Sequence, residues 1–263
     1  MKKCIVISDS FKGTLSSREV CQIVAEAIRS QEPEAEICAI PVADGGEGTV
    51  DCFLDSCGGE RVLVSGVQGP YGEPIDAAYG LLPDGSAVVE MAAAAGLPMV
   101  GENRDPEKTT TYGVGQLMLR AVRAGAKTIY IGLGGSATND GGAGMLQALG
   151  ARLVDDRGCD IAPGLAGLEH VAGIDLAPAL QVLNGARVVV LSDVENPLVG
   201  RRGALAVFGG QKGLPTDDAE ALRRYDSWMV GYGRLLDTAV VEARAQGLLR
   251  MPEGARTFGS VLG

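Results

Sequence analysis

The chain of 263 residues contains a single histidine, His170. A Ser-His-Asp hydrolase or a histidine-based metal site would depend on that one residue. Its Leu-Glu-His-Val setting reads as an ordinary strand or loop edge, which assigns it a structural role. Aromatic residues make up only 4% of the chain. The core must therefore be Ala, Val, Ile and Leu, which suits α/β packing better than an aromatic-rich β-sandwich. Basic residues are also short, with 23 Lys and Arg against 33 Asp and Glu and a net charge of −10. No basic face is available for sequence-independent nucleic-acid binding, so an anionic ligand must be held by a locally placed Lys, Arg, backbone amide or metal. The six cysteines show no C-x-x-C spacing, and Cys52 and Cys57, five apart, match no zinc signature. Several sit in apolar runs and read as reduced thiols of a cytoplasmic protein. The first apolar run is too short for a signal peptide, and no uncharged stretch nears the ~18–20 apolar residues of a membrane span.

Glycine, by contrast, is abundant: 39 residues, about twice the usual share of roughly 7%. Cys4 to Ile7 reads as a buried parallel strand opening into Ser8-Asp9-Ser10. Ser16 and Glu19 form a capping box ahead of a helix whose apolar stripe is Val20, Ile23, Val24, Ala27 and Ile28. A second strand, Ile37 to Val42, runs into Ala43-Asp44-Gly45-Gly46, with a helix from about Glu47. This β-α-β-α order makes a parallel sheet the default. From Arg61 the pattern changes to short strands, 62–64, 77–82 and 87–91, separated by Gly/Pro turns, so antiparallel or mixed pairing is expected. A helix over 110–123, a strand at 128–131, a short helix at 144–149 and strands at 152–154 and 187–191 come next. The last helix spans about 217–246, with Thr216 as N-cap and a stripe of Leu222, Tyr225, Met229, Tyr232, Leu236, Ala239 and Ala243.

Four loops share one design, each placed after an apolar strand and presenting Asp among Gly, Ser, Thr or Asn. They are Asp9-Ser-Phe-Lys-Gly-Thr14, Asp44-Gly-Gly-Glu-Gly-Thr49, Gly134-Gly-Ser-Ala-Thr-Asn-Asp-Gly-Gly142 and Asp193-Val-Glu-Asn196. Open α/β sheets bind ligands past the carboxyl ends of their strands. Carboxylates converging there, with glycines that let amides approach oxygens, suit a Mg²⁺–phosphate site, and Lys12 or Lys212 would offset phosphate charge. Any one Asp-Gly-Gly is a common turn; four in matching positions make the ligand reading the stronger one. Gly132-x-Gly134-x-x-Ala137, with Asp155 and Asp156 about twenty residues on, outlines a dinucleotide fingerprint. That makes an NAD-dependent oxidoreductase the rival class, although Asn139-Asp-Gly-Gly142 postpones the helix a fingerprint needs. No Walker A loop is present.

Asp9–Thr14, Pro41-Val-Ala-Asp-Gly-Gly-Glu-Gly-Thr49, Gly132–Gly142, Asp193-Val-x-Asn-Pro-Leu198 and Ala206-Val-Phe-Gly-x-Gln-Lys-Gly213 together resemble the type I glycerate kinases, in order from residue 1 to about residue 250. The resemblance implies phosphoryl transfer from Mg-ATP to D-glycerate, usually giving 2-phosphoglycerate. It implies two α/β domains with the site in the cleft between them: a parallel, Rossmann- or flavodoxin-like sheet and a mixed-sheet domain. Residues 1–60 would begin the first domain, 61–215 would form an inserted second domain, and 216–263 would be a long helix returning to the first. Asp193 or Asp44 is then the candidate base. Lys12 and Lys212 hold phosphate or the glycerate carboxylate. Asp9, Ser10, Gly134, Gly135, Ser136 and Thr138 serve substrate or phosphate, and Asn139 and Asp140 orient Mg²⁺. Family members continue beyond Arg256–Gly263, so the C-terminal part of the fold is expected to be missing. A non-catalytic truncated kinase remnant is a further alternative, and an exposed long-helix stripe would favour oligomerisation.

Overall fold

A computed structural model describes residues 2–11 and 13–250; the C-terminal segment from Arg256 that bears on the resemblance lies outside them. The chain opens with a parallel β-α-β unit. Strand β1 (Lys3–Ser8) pairs with β2 (Glu36–Pro41), and α1 (Ser17–Gln31) connects them. The capping box forms: the Ser16 side chain accepts from Glu19 N–H, and Glu19 Oε2 accepts from Ser16 N–H at 2.8 Å. Val20, Cys21 and Ala25 bury one face of α1. Ile23 and Val24, expected in the same stripe, are exposed, as are Ile5 at 68% and Ile7 at 61% on the strand. The unit is thus half covered.

Helix α2 (Thr49–Cys57) leads into a five-stranded sheet of β3 (Glu60–Gln68), β4 (Pro74–Leu81), β5 (Ala87–Glu90), β6 (Thr128–Gly132) and β9 (Arg187–Leu191), in that spatial order. The first three strands pair antiparallel and the last three parallel, which is the mixed sheet expected. Short helices α3 (Ala92–Ala95) and α4 (Leu97–Val100) lead to α5 (Tyr112–Arg123). Val114, Leu117, Met118 and Ala121 of α5 join Ala87, Val89, Ile129 and Ile131 in the main core. On the opposite face Val50 of α2 meets Leu82 and Val88, with Phe53, Leu54 and Tyr130 against them. Each fully buried large aliphatic side chain contributes roughly 1.5–3 kcal/mol, so the two layers lock β5 and β6 into the centre of the molecule.

Beyond β6 come α6 (Ala143–Ala148), β7 (Arg152–Val154), a 3₁₀ turn (Leu165–His170), β8 (Gly173–Asp175), α7 (Ala177–Leu183), β9, α8 (Ala204–Phe208) and α9 (Ala219–Ala245). His170 closes the 3₁₀ turn with its side chain exposed. Helix α9 starts two residues later than expected. The Asp218 N–H bonds back to Pro215 O, and the Asp218 carboxylate then accepts from Glu220 and Ala221 N–H, making Asp218 rather than Thr216 the cap. Tyr225, Met229, Tyr232, Ala239 and Ala243 are buried, because α9 packs against the 3₁₀ turn, β8 and α8. The apolar stripe is therefore covered within the chain. Among the described residues the cysteines are free, and only Cys21 is buried. No described helix is long and apolar enough to cross a membrane.

Candidate active site

Three strand ends converge on one place. Gly134 N–H donates to Gly45 O at 3.0 Å, and Leu133 N–H donates to Leu191 O at 3.2 Å. The loops after β2, β6 and β9 are thereby stitched backbone to backbone. Glycine permits the approach: a Cβ on Gly132 would lie 2.2 Å from Gly45 O, and one on Gly134 would lie 2.7 Å from Gly46 Cα. The result is a cavity of about 570 Å³ whose lining includes Asp44, Thr49, Phe53, Leu191 and Asp193. Asp44 and Asp193, the two candidate bases, thus share one cavity. A larger cavity of about 940 Å³ adjoins it, with Val42, Ala43 and Cys52 lining both. Ser10, Glu47, Arg61 and Glu90 also line the larger one.

The remaining candidates divide. Ser10 faces the larger cavity, but Asp9 turns its Oδ1 onto Ser10 N–H at 2.7 Å and caps its own loop. Lys12 lies outside the described residues. Lys212, only 9% exposed, donates from Nζ to Ser136 Oγ and Thr138 O, both at 2.7 Å. Burial pushes its pKa down to about 8, with Asp140 opposing the shift. Two of its three N–H bonds therefore hold the Gly-rich loop, and one remains. Gly134 has spent its amide on Gly45, so it cannot give the phosphate contact expected of it; Gly135 contributes its carbonyl to Leu97 N–H at 2.8 Å.

Asp140 differs most from expectation. It is 1% exposed. Oδ2 accepts from Thr111 N–H and Thr111 Oγ1, both at 2.8 Å, and from Gly144 N–H at 3.2 Å, while Oδ1 accepts from Gly142 N–H at 3.0 Å. Its Oδ2 is saturated and its Oδ1 is engaged once, so the carboxylate binds chiefly the N-terminal ends of α5 and α6. Asn139, 6% exposed, holds a buried amide nitrogen with no hydrogen-bond partner. Both metal candidates are buried. Among the described residues no three His, Cys, Asp or Glu side chains are arranged to hold a metal ion by themselves.

Sequence reading passed over Glu90. It ends the wholly buried strand β5, is 8% exposed, and accepts Val50 N–H at 2.5 Å. Burial raises its pKa to about 7; Asp51 and Glu47 add to the rise, while the Val50 N–H and Arg61 oppose it. A lone charged residue closing an apolar strand was the available signal. The dinucleotide fingerprint has no structural counterpart. Ala137 N–H bonds Ala95 O, no helix starts before Ala143, and β7 pairs antiparallel with β8 instead of running parallel beside β6.

The profile of the glycerate kinase family matches residues 4–257. The chain is 47% identical over 222 residues to a glycerate kinase of Bacillus subtilis (strain 168), covering 84% of this chain and 58% of that protein. It is 47% identical over 214 residues to the glycerate 2-kinase of Escherichia coli (strain K12), covering 80% of this chain and 56% of that protein. A solved structure from Salmonella typhimurium LT2 that carries the name glycerate kinase 2 superposes with a TM-score of 0.78 at 46% identity, covering 90% of this chain and 64% of that one. The chain therefore spans less than two thirds of the length of these relatives.

Proposed function

The chain belongs to the glycerate kinase family, and on that premise we propose that it transfers a phosphoryl group from ATP to a hydroxyl of D-glycerate, with 2-phosphoglycerate as the expected product. The observation that carries the reading is the meeting of Asp44 and Asp193 in one cavity at three converging strand ends. One of the two accepts the proton of the attacking hydroxyl, since a kinase chiefly positions its reactants and supplies a base. The same pair fits Mg²⁺, which takes one or two protein carboxylates and fills its shell with phosphate oxygens and water. When bound, the ion neutralises charge on the transferring group. The remaining N–H of Lys212 and the Ser136 hydroxyl serve the phosphate, Ser10 serves substrate from the adjoining cavity, and Lys12 shares the cationic role. The reaction belongs to the cytoplasm, where ATP is supplied.

The test is a coupled assay of ADP release with and without D-glycerate and Mg²⁺. Release that requires both supports the reading. ATP binding without release contradicts turnover, and hydride transfer with bound NAD would establish the rival class.

A further inference from the structure

We propose that Glu90 is a positioning residue: from the end of β5 it holds the N-terminus of α2, and through it the 44–49 loop that carries Asp44 into the site. This rests on the reading of Asp44 as a site residue.

The connection can be traced bond by bond. Helix α2 has Gly48 as its N-cap, in the left-handed region and without a side-chain cap. The orphan N–H of Val50 is satisfied from outside the helix, by Glu90 Oε1. One residue back, Thr49 Oγ1 donates to Gly46 O at 2.7 Å; Gly46 N–H in turn donates to Asp44 Oδ1 at 2.9 Å. Glu90 also stands opposite Gly132 in the sheet, the glycine against which Gly45 closes. The loop is thus tied to the same sheet row at both ends, by a carboxyl at 49–50 and by glycine packing at 45–46.

Charged and titratable groups share the cavity with Glu90 or border it. Glu47, Asp51 and Cys52 belong to α2 and its loop, Arg61 to β3, Asp76 to β4 and Asp9 to the loop after β1. Arg61 is ion-paired with Asp51, so it offsets the acidic surroundings only in part. Because the closed clasp favours a protonated Glu90 and an opened one exposes it, opening is linked to proton release. The clasp is tightest below the ordinary carboxylate value of 4.5 and weakens as pH rises through about 7.

Amide hydrogen exchange on the full chain, corrected for intrinsic rates, tests this with wild type, Glu90→Ala and Glu90→Gln. In wild type, protection at 46–50 should fall by up to about tenfold between pH 6 and pH 8, while β5 and β6 amides hold. Glu90→Ala should expose 46–50 at both pH values. Glu90→Gln, which keeps an acceptor without a charge, should retain protection and flatten the pH dependence. In the ADP-release assay Glu90→Ala should lower kcat with KM for ATP within about twofold, and Glu90→Gln should restore it. Unchanged exchange at 46–50 in Glu90→Ala, or a wild-type pH slope in Glu90→Gln, overturns the proposal. Absence of glycerate-dependent ADP release in wild type would instead overturn the kinase reading, and the exchange result would still decide the role of Glu90.

Discussion

Two Gly- and Asp-rich loops of similar composition do different work. In the loop 134–142, Asp140 is enclosed by five donors and Lys212 pins the backbone from across the chain. In the loop 44–49, with its neighbour after β9, the carboxylates of Asp44 and Asp193 line a cavity. The difference lies in the helix ends near each Asp. Asp140 precedes a short helix and sits beside the start of α5, so two helix ends supply more unsatisfied N–H groups than one carboxylate needs. Asp44 sits ahead of a helix whose end is already held by Glu90, and it lines the cavity instead of capping that helix. A motif rich in Gly and Asp therefore has to be read together with the helix ends around it.

Substitutions in either loop separate the two roles. Asp193→Asn should reduce ADP release by roughly 10²–10⁴-fold with an unchanged melting curve, the scale of losing a general base; near-normal turnover would remove Asp193 from the site. Asp140→Ala should act on stability instead, costing on the order of 3 kcal/mol because several buried donors lose their partner, and denaturant titration would register it. Gly134→Ala forces the stitched loops apart and should cost about 1–3 kcal/mol by overpacking, with a fall in turnover larger than its stability loss alone explains.

Lys212 gives the finest test. Its folded pKa of about 8 lies below the ordinary lysine value of 10.5, so the unfolded chain binds more protons between those values. Its contribution to stability should rise as pH increases from 8 towards 10.5, by on the order of 2–3 kcal/mol over the full interval. Lys212→Met should lack that rise in denaturant midpoints measured from pH 8 to pH 10.

Much of the fold could be read from local pattern. The short apolar strands at 152–154 and 187–191 appear where the sequence places them, and the Ser16–Glu19 capping box forms as spaced. Pairing could not be read the same way. β7 turns away to β8 because partner choice depends on long-range packing rather than on the strand's own residues. The α1 stripe is only half buried, since periodicity marks a face that can be covered but not the element that covers it. In the site, the loops were legible from glycine and Asp at strand ends. The division of labour among their carboxylates was not, because it depends on which helix N–H groups arrive from elsewhere in the chain.

The most direct measurement is hydrogen exchange of the full chain with and without Mg-ATP and D-glycerate. If Asp44 and Asp193 line the working site, ligands should add protection at 43–49 and 190–194 and none at 142–144, whose amides Asp140 already holds. Protection confined to 142–144, with 43–49 and 190–194 unchanged, would contradict it.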